Sequence, residues 1–473
     1  MMRRALLALC VARLCLGGGN ADAKDEKLPN FVLIFIDDQG YQDIGCFGSP
    51  NIRTPRLDRM AKEGMRFTDF YALAPVCSAS RAALLTASYP PRVGITGVLF
   101  PRAKIGLNPD EITIAERLKP KGYTTAAVGK WHLGHLPQFL PTRQGFDSYF
   151  GIPYSNDMDR VKAPGKGVKG LDRAYDEDDS SFWNVPLLEN EKIIERPAKQ
   201  VDLTKRYTDK AIEFVQKSKD KPFFLYLAHT MPHIPLFATS KFKKQSKAGP
   251  YGDTIEELDA NVGRLLDAID DAGLKENTLV VYTSDNGPWL SMKHHGGSAL
   301  PLRGGKFSTH EGGMRVPTIM RWPGHVPAGS VCSEVAASFD LGPTFAKLAG
   351  APEVTDRPLD GKDISALLLG KTGAKSPHDA FLYYKGGRLE AVRSGKYKLR
   401  LRDGKKRGKK PKGDAKKPAP KNGGGLLYDL SKDISETTNI ADAHPEVVAR
   451  LRAAAETYDK SLQASKRPAG KAK

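Results

Sequence analysis

The chain has 473 residues, 40% hydrophobic and 27% charged. That composition supplies a sizeable core and excludes disorder along the whole length, and the length suits a large α/β domain with a smaller companion. The formal net charge of +19 is concentrated in three places: residues 404–422 hold nine Lys or Arg against one Asp, residues 466–473 hold four Lys or Arg, and the first 23 residues add a net +2. The rest is nearly balanced, so no nucleic-acid partner is expected and the basic runs read as solvated segments. No run of about 18 apolar residues is present, so no membrane span is expected.

Residues 1–23 read as an export signal: a basic start, an apolar stretch interrupted by Arg13, and Ala21-Asp22-Ala23 as a small-x-small cleavage site. The mature chain would then start near residue 24 and be periplasmic or secreted. Cys10 and Cys15 would leave with the signal. Cys46, Cys77 and Cys332 would remain, an odd number that leaves at least one unpaired. A Cys46–Cys332 disulfide is left open, since its geometry is not readable from sequence.

Residues 30–36 (NFVLIFI) form a continuous apolar run that predicts a buried strand of a parallel sheet, ending in Asp37-Asp38-Gln39-Gly40. Residues 222–228 and 279–283 are similar runs, ending in His229 to His233 and in Ser284-Asp285-Asn286-Gly287. Between them, Ile255, Leu258, Val262, Leu265, Leu266 and Ile269 have helical spacing and predict a helix over 254–272. Strand, helix, strand argues for a βαβ unit. Polar clusters at the carboxyl ends of parallel strands share one sheet edge, where open α/β proteins bind ligands. From about residue 375 the pattern changes to short strands over 379–384, 389–401 and 426–430 and a closing helix over 447–462. The expected organisation is a main domain over 24–375, a subdomain over 376–463 with 404–422 as a loop, and a basic tail over 464–473.

Asp37, Asp38, Asp285 and Asn286 offer only oxygen ligands, which favours Ca²⁺ or Mg²⁺ over Zn²⁺. Either pair alone is equally at home in a turn or helix cap; two pairs at matching strand ends point to a cation. Cys77-Ser78-Ala79-Ser80-Arg81 leads into good helix formers, with Ser78 or Ser80 as cap. Cys77 then lies at a helix N-terminus, where N–H groups favour an anion, and Arg81 lies on the same face. A guanidinium beside a nucleophile suits sulfate or phosphate. A buried, inert cysteine beside a surface arginine is the plainer alternative.

Cys77-Ser78-Ala79-Ser80-Arg81 resembles the C-x-(P/A)-S-R signature of the formylglycine-dependent sulfatases. Gly129-Lys130-Trp131-His132-Leu133-Gly134 is similar to their second signature, and Asp37 to Gly40, Thr283 to Gly287, Gly304 to Gly313, His233-Ile234-Pro235 and Leu427 to Leu430 are further matches in family order. The chain resembles the arylsulfatase A and N-acetylgalactosamine-6-sulfatase types; residues 153–157 also resemble an arylsulfatase A segment. The resemblance implies an alkaline-phosphatase-like α/β sandwich with a mostly parallel central sheet, plus a smaller carboxyl-terminal domain with an antiparallel sheet and a helix. It implies hydrolysis of a sulfate ester of a carbohydrate or aryl alcohol, one Ca²⁺, and conversion of Cys77 to formylglycine by a maturation enzyme. Asp37, Asp38, Asp285, Asn286 and the oxygen at position 77 would hold the metal. Arg81 and Lys130 would steady the nucleophile, His233 and Lys306 would contact sulfate and help protonate the leaving alcohol, and His132 would take the proton that releases sulfate. Ser155, His229 and His295 are the candidate substrate contacts; His229 competes with His233, which the His-x-Pro pattern favours. Ala79 stands where many relatives carry Pro, which leaves open which maturation system acts. The competing reading is a phosphomonoesterase or phosphodiesterase of the same superfamily, which would use Ser or Thr and two Zn²⁺ ions; Cys77 with Arg81 argues against it. A sulfated-glycan binder without turnover is the non-enzymatic reading, and it sits poorly with a full set of matched side chains.

Overall fold

The computed structural model describes residues 27–401 and 425–472; the signal reading of 1–23 and the basic insert 404–422 lie outside the described residues. The apolar run at the start becomes strand β1 (Asn30–Ile36), with all seven residues buried. Its side chains serve two cores in alternation, as the two-residue strand period requires. Val32, Ile34 and Ile36 join one core cluster and Phe31, Leu33 and Phe35 the other. A strand covered on both faces has no polar face, so its sequence shows no hydrophobic alternation.

The other strands of this sheet are, in chain order, β2 (Met65–Phe67), β3 (Thr124–Gly129), β4 (Ser148–Gly151), β5 (Leu187–Glu189), β6 (Lys192–Glu195), β7 (Phe223–Ala228), β8 (Thr278–Ser284), β9 (Thr318–Arg321) and β10 (Ser330–Cys332). The spatial order of the ten is β10-β2-β9-β8-β1-β7-β3-β4-β5-β6. The central strands β8, β1, β7, β3 and β4 run parallel, β9 and β5 run antiparallel to them, and β6 pairs antiparallel with β5. The predicted strand–helix–strand unit is present, but its strands β7 and β8 are not neighbours: β1 lies between them and pairs with both. That insertion aligns the acidic end of β1 with the ends of both partners.

Four helices matter to the site: α1 (Cys77–Thr86), α2 (Leu203–Ser218), α3 (Gly249–Asp271) and α4 (Pro445–Ala464). On α3, Ile255, Leu258, Val262, Leu265, Leu266 and Ile269 are fully buried against the Val32 face, together with Tyr207, Ala211 and Val215 of α2. Each such aliphatic side chain contributes about 1.5–3 kcal/mol by leaving water. Helix α1 packs on the other face through Ala82, Leu84 and Leu85. Neither Ser78 nor Ser80 caps it. Val76 is the N-cap residue and makes no side-chain cap bond, whereas Ser78 lies inside the helix and its Oγ accepts the Leu99 N–H at 3.0 Å.

The second sheet is antiparallel in the order β11 (Phe381–Lys385), β12 (Arg388–Ser394), β13 (Tyr397–Arg400), β14 (Leu426–Asp429). The stretch read as a single strand over 389–401 is a hairpin, because Gly395 turns with φ 54°. Helix α4 packs on this sheet through Val448, Leu451 and Ala455. The end of the chain corrects the reading of residues 466–473 as a solvated tail. Arg467 donates to Glu111 from Nε at 2.7 Å and Nη2 at 2.9 Å, and Gly470–Lys471 pairs with Ile105–Gly106. Cys46, Cys77 and Cys332 are all free thiols. No helix among the described residues is long and apolar enough to cross a membrane.

Candidate active site

The register of the parallel strands builds the site. Ile36 on β1 is opposite Ser284 on β8, so Asp37 and Asp38 emerge beside Asp285 and Asn286. Gly129 on β3 is opposite Ala228 on β7, so Lys130 emerges beside His229. Gly129 has φ 108°, and a Cβ there would lie 1.9 Å from the Ala228 carbonyl oxygen, so only glycine allows the chain to leave the strand here. Asp38, His132 and Phe307, with φ of 63°, 62° and 69°, are non-glycine residues in the left-handed region. Strain of this kind collects at functional sites, where the surroundings over-determine the backbone.

Helix α1 brings its first residue to the same edge. Cys77 Sγ lies within 4.8 Å of carboxylate oxygens of Asp37 and Asp285. Burial pushes the thiol up to about 11, against the pull of Lys130 and Lys306. A thiol so placed is protonated near neutrality and is a poor nucleophile as it stands. One turn on, Arg81 is fully buried, donates to Asp285 Oδ2 from Nε and Nη2, and reaches the Lys130 carbonyl from Nη1 at 2.9 Å.

Lys130 Nζ bonds to Asp37 Oδ2 and donates to Ser155 Oγ at 3.0 Å. Lys306 Nζ donates to Asp38 Oδ2 at 2.7 Å and sits 4.4 Å from the Trp289 ring centroid, a cation–π contact. Burial would raise Asp37, but the cations Lys130, Arg81 and Lys306 hold it well below the usual carboxylate range. Burial and the neighbouring Asp37 push Asp285 up, against Arg81. Three carboxylates and three cations thus share one buried floor.

The two predicted catalytic histidines are both buried. His132 Nε2 meets the Leu99 carbonyl at 3.0 Å, while its Nδ1 has no partner. A carbonyl can only accept, so Nε2 carries the hydrogen and Nδ1 keeps a free lone pair. His233 Nδ1 meets the Ile234 carbonyl at 2.6 Å, which turns Nε2 towards Asp38 Oδ2 at 3.6 Å. Burial, with Lys306 behind it, lowers His233 to about 4, and burial with Lys130 drives His132 well below its ordinary value. Both imidazoles are therefore neutral at neutral pH.

The three proposed substrate contacts separate. Ser155 joins the centre, between Lys130 and His233 Nδ1 at 3.0 and 3.4 Å. His229 is fully buried at the end of β7, both its ring nitrogens lack partners, and burial lowers it to about 3. His295 turns to Asp172 at 2.9 Å and to Tyr175. The structure adds two residues that were not singled out from the sequence. Trp289 packs its ring on His233 and Lys306. Asp157 is half-buried, its buried Oδ1 unpartnered, and its carboxyl is raised by burial and held back by Lys306 and Lys130. Asp157 lies in the quoted 153–157 segment, so a signal was there; a lone Trp after a turn carries none.

Residues 29–351 match the model of the Sulfatase family, and 376–473 match that of the C-terminal region of aryl-sulfatase. The chain belongs to the sulfatase family. It is 43% identical over 460 residues to arylsulfatase A of Homo sapiens, covering 93% of this chain and 89% of that protein. It is 40% identical over 386 residues to N-acetylgalactosamine-6-sulfatase of Mus musculus, covering 79% and 72%. The solved structure of Ps i-CgsB in complex with k-i-k-neocarrahexaose superposes with a TM-score of 0.76 at 31% identity, covering 94% of this chain and 95% of that one. This sulfatase is a sulfuric ester hydrolase, and the sandwich with its separate carboxyl-terminal sheet is the fold its relatives share.

Proposed function

We propose that this sulfatase removes sulfate from sulfated carbohydrates, with formylglycine at position 77 and one Ca²⁺ held by Asp37, Asp38, Asp285 and Asn286. The observation that carries this reading is the convergence of Cys77 with Asp37 and Asp285 within 4.8 Å on a floor that also holds Arg81, Lys130 and Lys306. The donor set suits a hard cation. Asp37 Oδ1 and Asn286 Oδ1 are buried acceptors without partners, and every proposed ligand is an oxygen. Bound there, Ca²⁺ would draw charge from a sulfate oxygen and fix the oxygen at position 77. The hydrated aldehyde would supply the attacking hydroxyl that a buried thiol does not.

The protein's own groups then divide the work. Arg81, fixed by Asp285 and the Lys130 carbonyl, presents its guanidinium beside position 77 and steadies that oxygen. Lys130 contacts Asp37 and Ser155, and Lys306 contacts Asp38, so all three donors border the carboxylate floor. Their donors stabilise the charge that develops on the equatorial oxygens. Lys306 and His233 flank Asp38; the Lys306 ammonium can give the leaving alcohol its proton, while neutral His233, with its Nδ1–H on the Ile234 carbonyl, offers Nε2 only as an acceptor. His132, with Nδ1 free, accepts a proton from position 77 as sulfate departs. Trp289 packs against Lys306 and His233 on that side.

The carbohydrate assignment leans on N-acetylgalactosamine-6-sulfatase, whose name specifies a sugar sulfate, and on the oligosaccharide bound to Ps i-CgsB. We further propose export with loss of the first 23 residues. A maturation enzyme would reach Cys77 before the chain closes, because the folded protein leaves that residue only 2% exposed.

The test is the mass of the tryptic peptide 67–81 from protein made in its native host, followed by sulfate release from a panel of sulfated glycans and aryl sulfates. An aldehyde in place of CH₂SH, with turnover of a sugar sulfate, is the expected result. Turnover by protein whose Cys77 is intact would overturn the formylglycine assignment. Modified protein that cleaves aryl sulfates and no sugar sulfate would overturn the substrate class.

A further inference from the structure

A second set of ligating side chains meets away from the catalytic floor. The helix Gly167–Asp176 carries Asp172, and the turn Leu290–His295 carries His294 and His295. His294 Nε2 lies 2.5 Å and His295 Nε2 2.9 Å from the same oxygen, Asp172 Oδ1. The three donor atoms are within 4.8 Å of one another. His295 is fully buried, whereas His294 and Asp172 keep 47% and 37% of their side-chain surface. Beside them opens a cavity of about 390 Å³, lined in part by Asp172, Asp176, Asp253 and His294.

We propose that Asp172, His294 and His295 form a second metal site, which takes a divalent transition metal, zinc foremost, with water from the adjoining cavity completing the shell. Two imidazoles and a carboxylate select zinc over calcium, whereas the oxygen-only set of the catalytic floor has the opposite preference. Zinc bonds of about 2.0–2.2 Å at tetrahedral angles place ligand atoms roughly 3.4 Å apart. The two close contacts must therefore open by less than about 1 Å, and the exposed His294 and Asp172 have room to do so. Two lysines near this surface are already paired, Lys244 with Asp176 at 3.2 Å and Lys243 with Asp178 at 2.8 Å.

The position gives the site a purpose. Trp289 immediately precedes the turn and packs on His233 and Lys306. A metal here fastens the helix Gly167–Asp176, which belongs to the surface beyond β4, to the turn that holds Trp289. It is a clamp on the rim of the active site, and its ligands take no part in the reaction.

The experiment uses the full chain, stripped of metal with a chelator, restored with Ca²⁺, and then titrated with Zn²⁺ by calorimetry and with Co²⁺ by visible absorption. Wild-type protein should bind one zinc beyond the calcium, give the intense d–d bands of a low-coordinate cobalt site, and melt at a higher temperature with zinc. His294→Ala and Asp172→Asn should lose that zinc, the bands and the zinc-dependent shift, with unchanged circular dichroism. His294→Cys, which restores a zinc ligand, should keep zinc and red-shift the cobalt spectrum. Equal zinc stoichiometry in wild type and both loss variants, or no zinc bound by folded wild-type protein, overturns the proposal.

Discussion

Arg81 holds Asp285 by a fork onto one oxygen: Nε and Nη2 lie 3.0 and 2.8 Å from Oδ2, and both side chains are completely buried. The contact joins the second turn of α1 to the end of β8 and so ties the helix that begins at Cys77 to the strand ends that would hold the metal. A lysine cannot reproduce it, since its ammonium is a point charge without the planar fork. Arg81→Lys should lower kcat/KM by about 10²–10³, the usual loss when a preorganised charge-stabilising donor is removed. Steady-state kinetics check this, on protein whose position 77 has first been shown by mass to match wild type.

Removal of the metal should destabilise as well as inactivate. Asp37, Asp38 and Asp285 are buried together, and two acceptor oxygens in the group have no partner. Calcium that binds only the folded state adds about 2.7 kcal/mol of stability at 100 times its Kd. Chelation should abolish sulfate release and lower the melting temperature, and Ca²⁺ should restore both. Full activity in the stripped protein would remove the metal from the mechanism.

The loop that carries Lys306 is held from the second sheet. Lys398 on β13 donates to Glu311 Oε1 at 2.8 Å and to the Thr309 carbonyl at 2.9 Å, and it pairs with Glu436 at 2.9 Å. Tyr71 and Tyr383 also donate to Glu311. Lys398→Met leaves two buried carboxylates without their ammonium and should cost about 3–5 kcal/mol. Urea unfolding reads the loss, and kcat should fall too, because the loop bearing Lys306 loses its anchor. An unchanged midpoint would mean that the network does not bind the two sheets together.

His378 gives a pH dependence outside the carboxylate floor. Its Nε2 lies 2.8 Å from Asp340 Oδ1 and its ring stacks on Phe339. Burial would lower it, but the charge and hydrogen bond of Asp340 more than offset that, so its folded value is raised. A raised folded value makes the pair's contribution complete below the unfolded value of about 6.5 and lost as pH rises through the folded one. The melting-temperature gap between wild type and His378→Gln should therefore be widest in mild acid and close towards alkaline pH. A gap that widens with rising pH would contradict the sign.

Much of the site was legible because its chemistry is local. Asp37-Asp38, Asp285-Asn286, Cys77 with Arg81, and Lys130 with His132 are each short runs at the end of an apolar strand or the start of a helix, and such runs are visible without a fold. The three strands flanking the acidic clusters appear where their apolar runs stand. Trp289 was not legible as a site residue, since a lone Trp after a turn does not announce its contacts with His233 and Lys306, and Asp157, although inside the quoted 153–157 segment, owes its place to Lys306, about 150 positions on. The same holds for Asp172, whose meeting with His294 and His295 crosses about 120 positions.

The sequence by itself determined the strand runs, the helical face of α3, the oxygen-only character of the side chains at the acidic strand ends and the placing of Cys77 at a helix start, because each depends on residue type and spacing within one element. Tertiary structure alone decided three other matters. The insertion of β1 between β7 and β8 brought the strand ends to one edge. The docking of Arg467 and Gly470–Lys471 onto the body turned a basic tail into part of the fold. The turn of His295 towards Asp172 set it apart from the catalytic floor. These depend on which segments become neighbours, and that follows from burying both faces of the sheet at once, a condition no single stretch of sequence expresses.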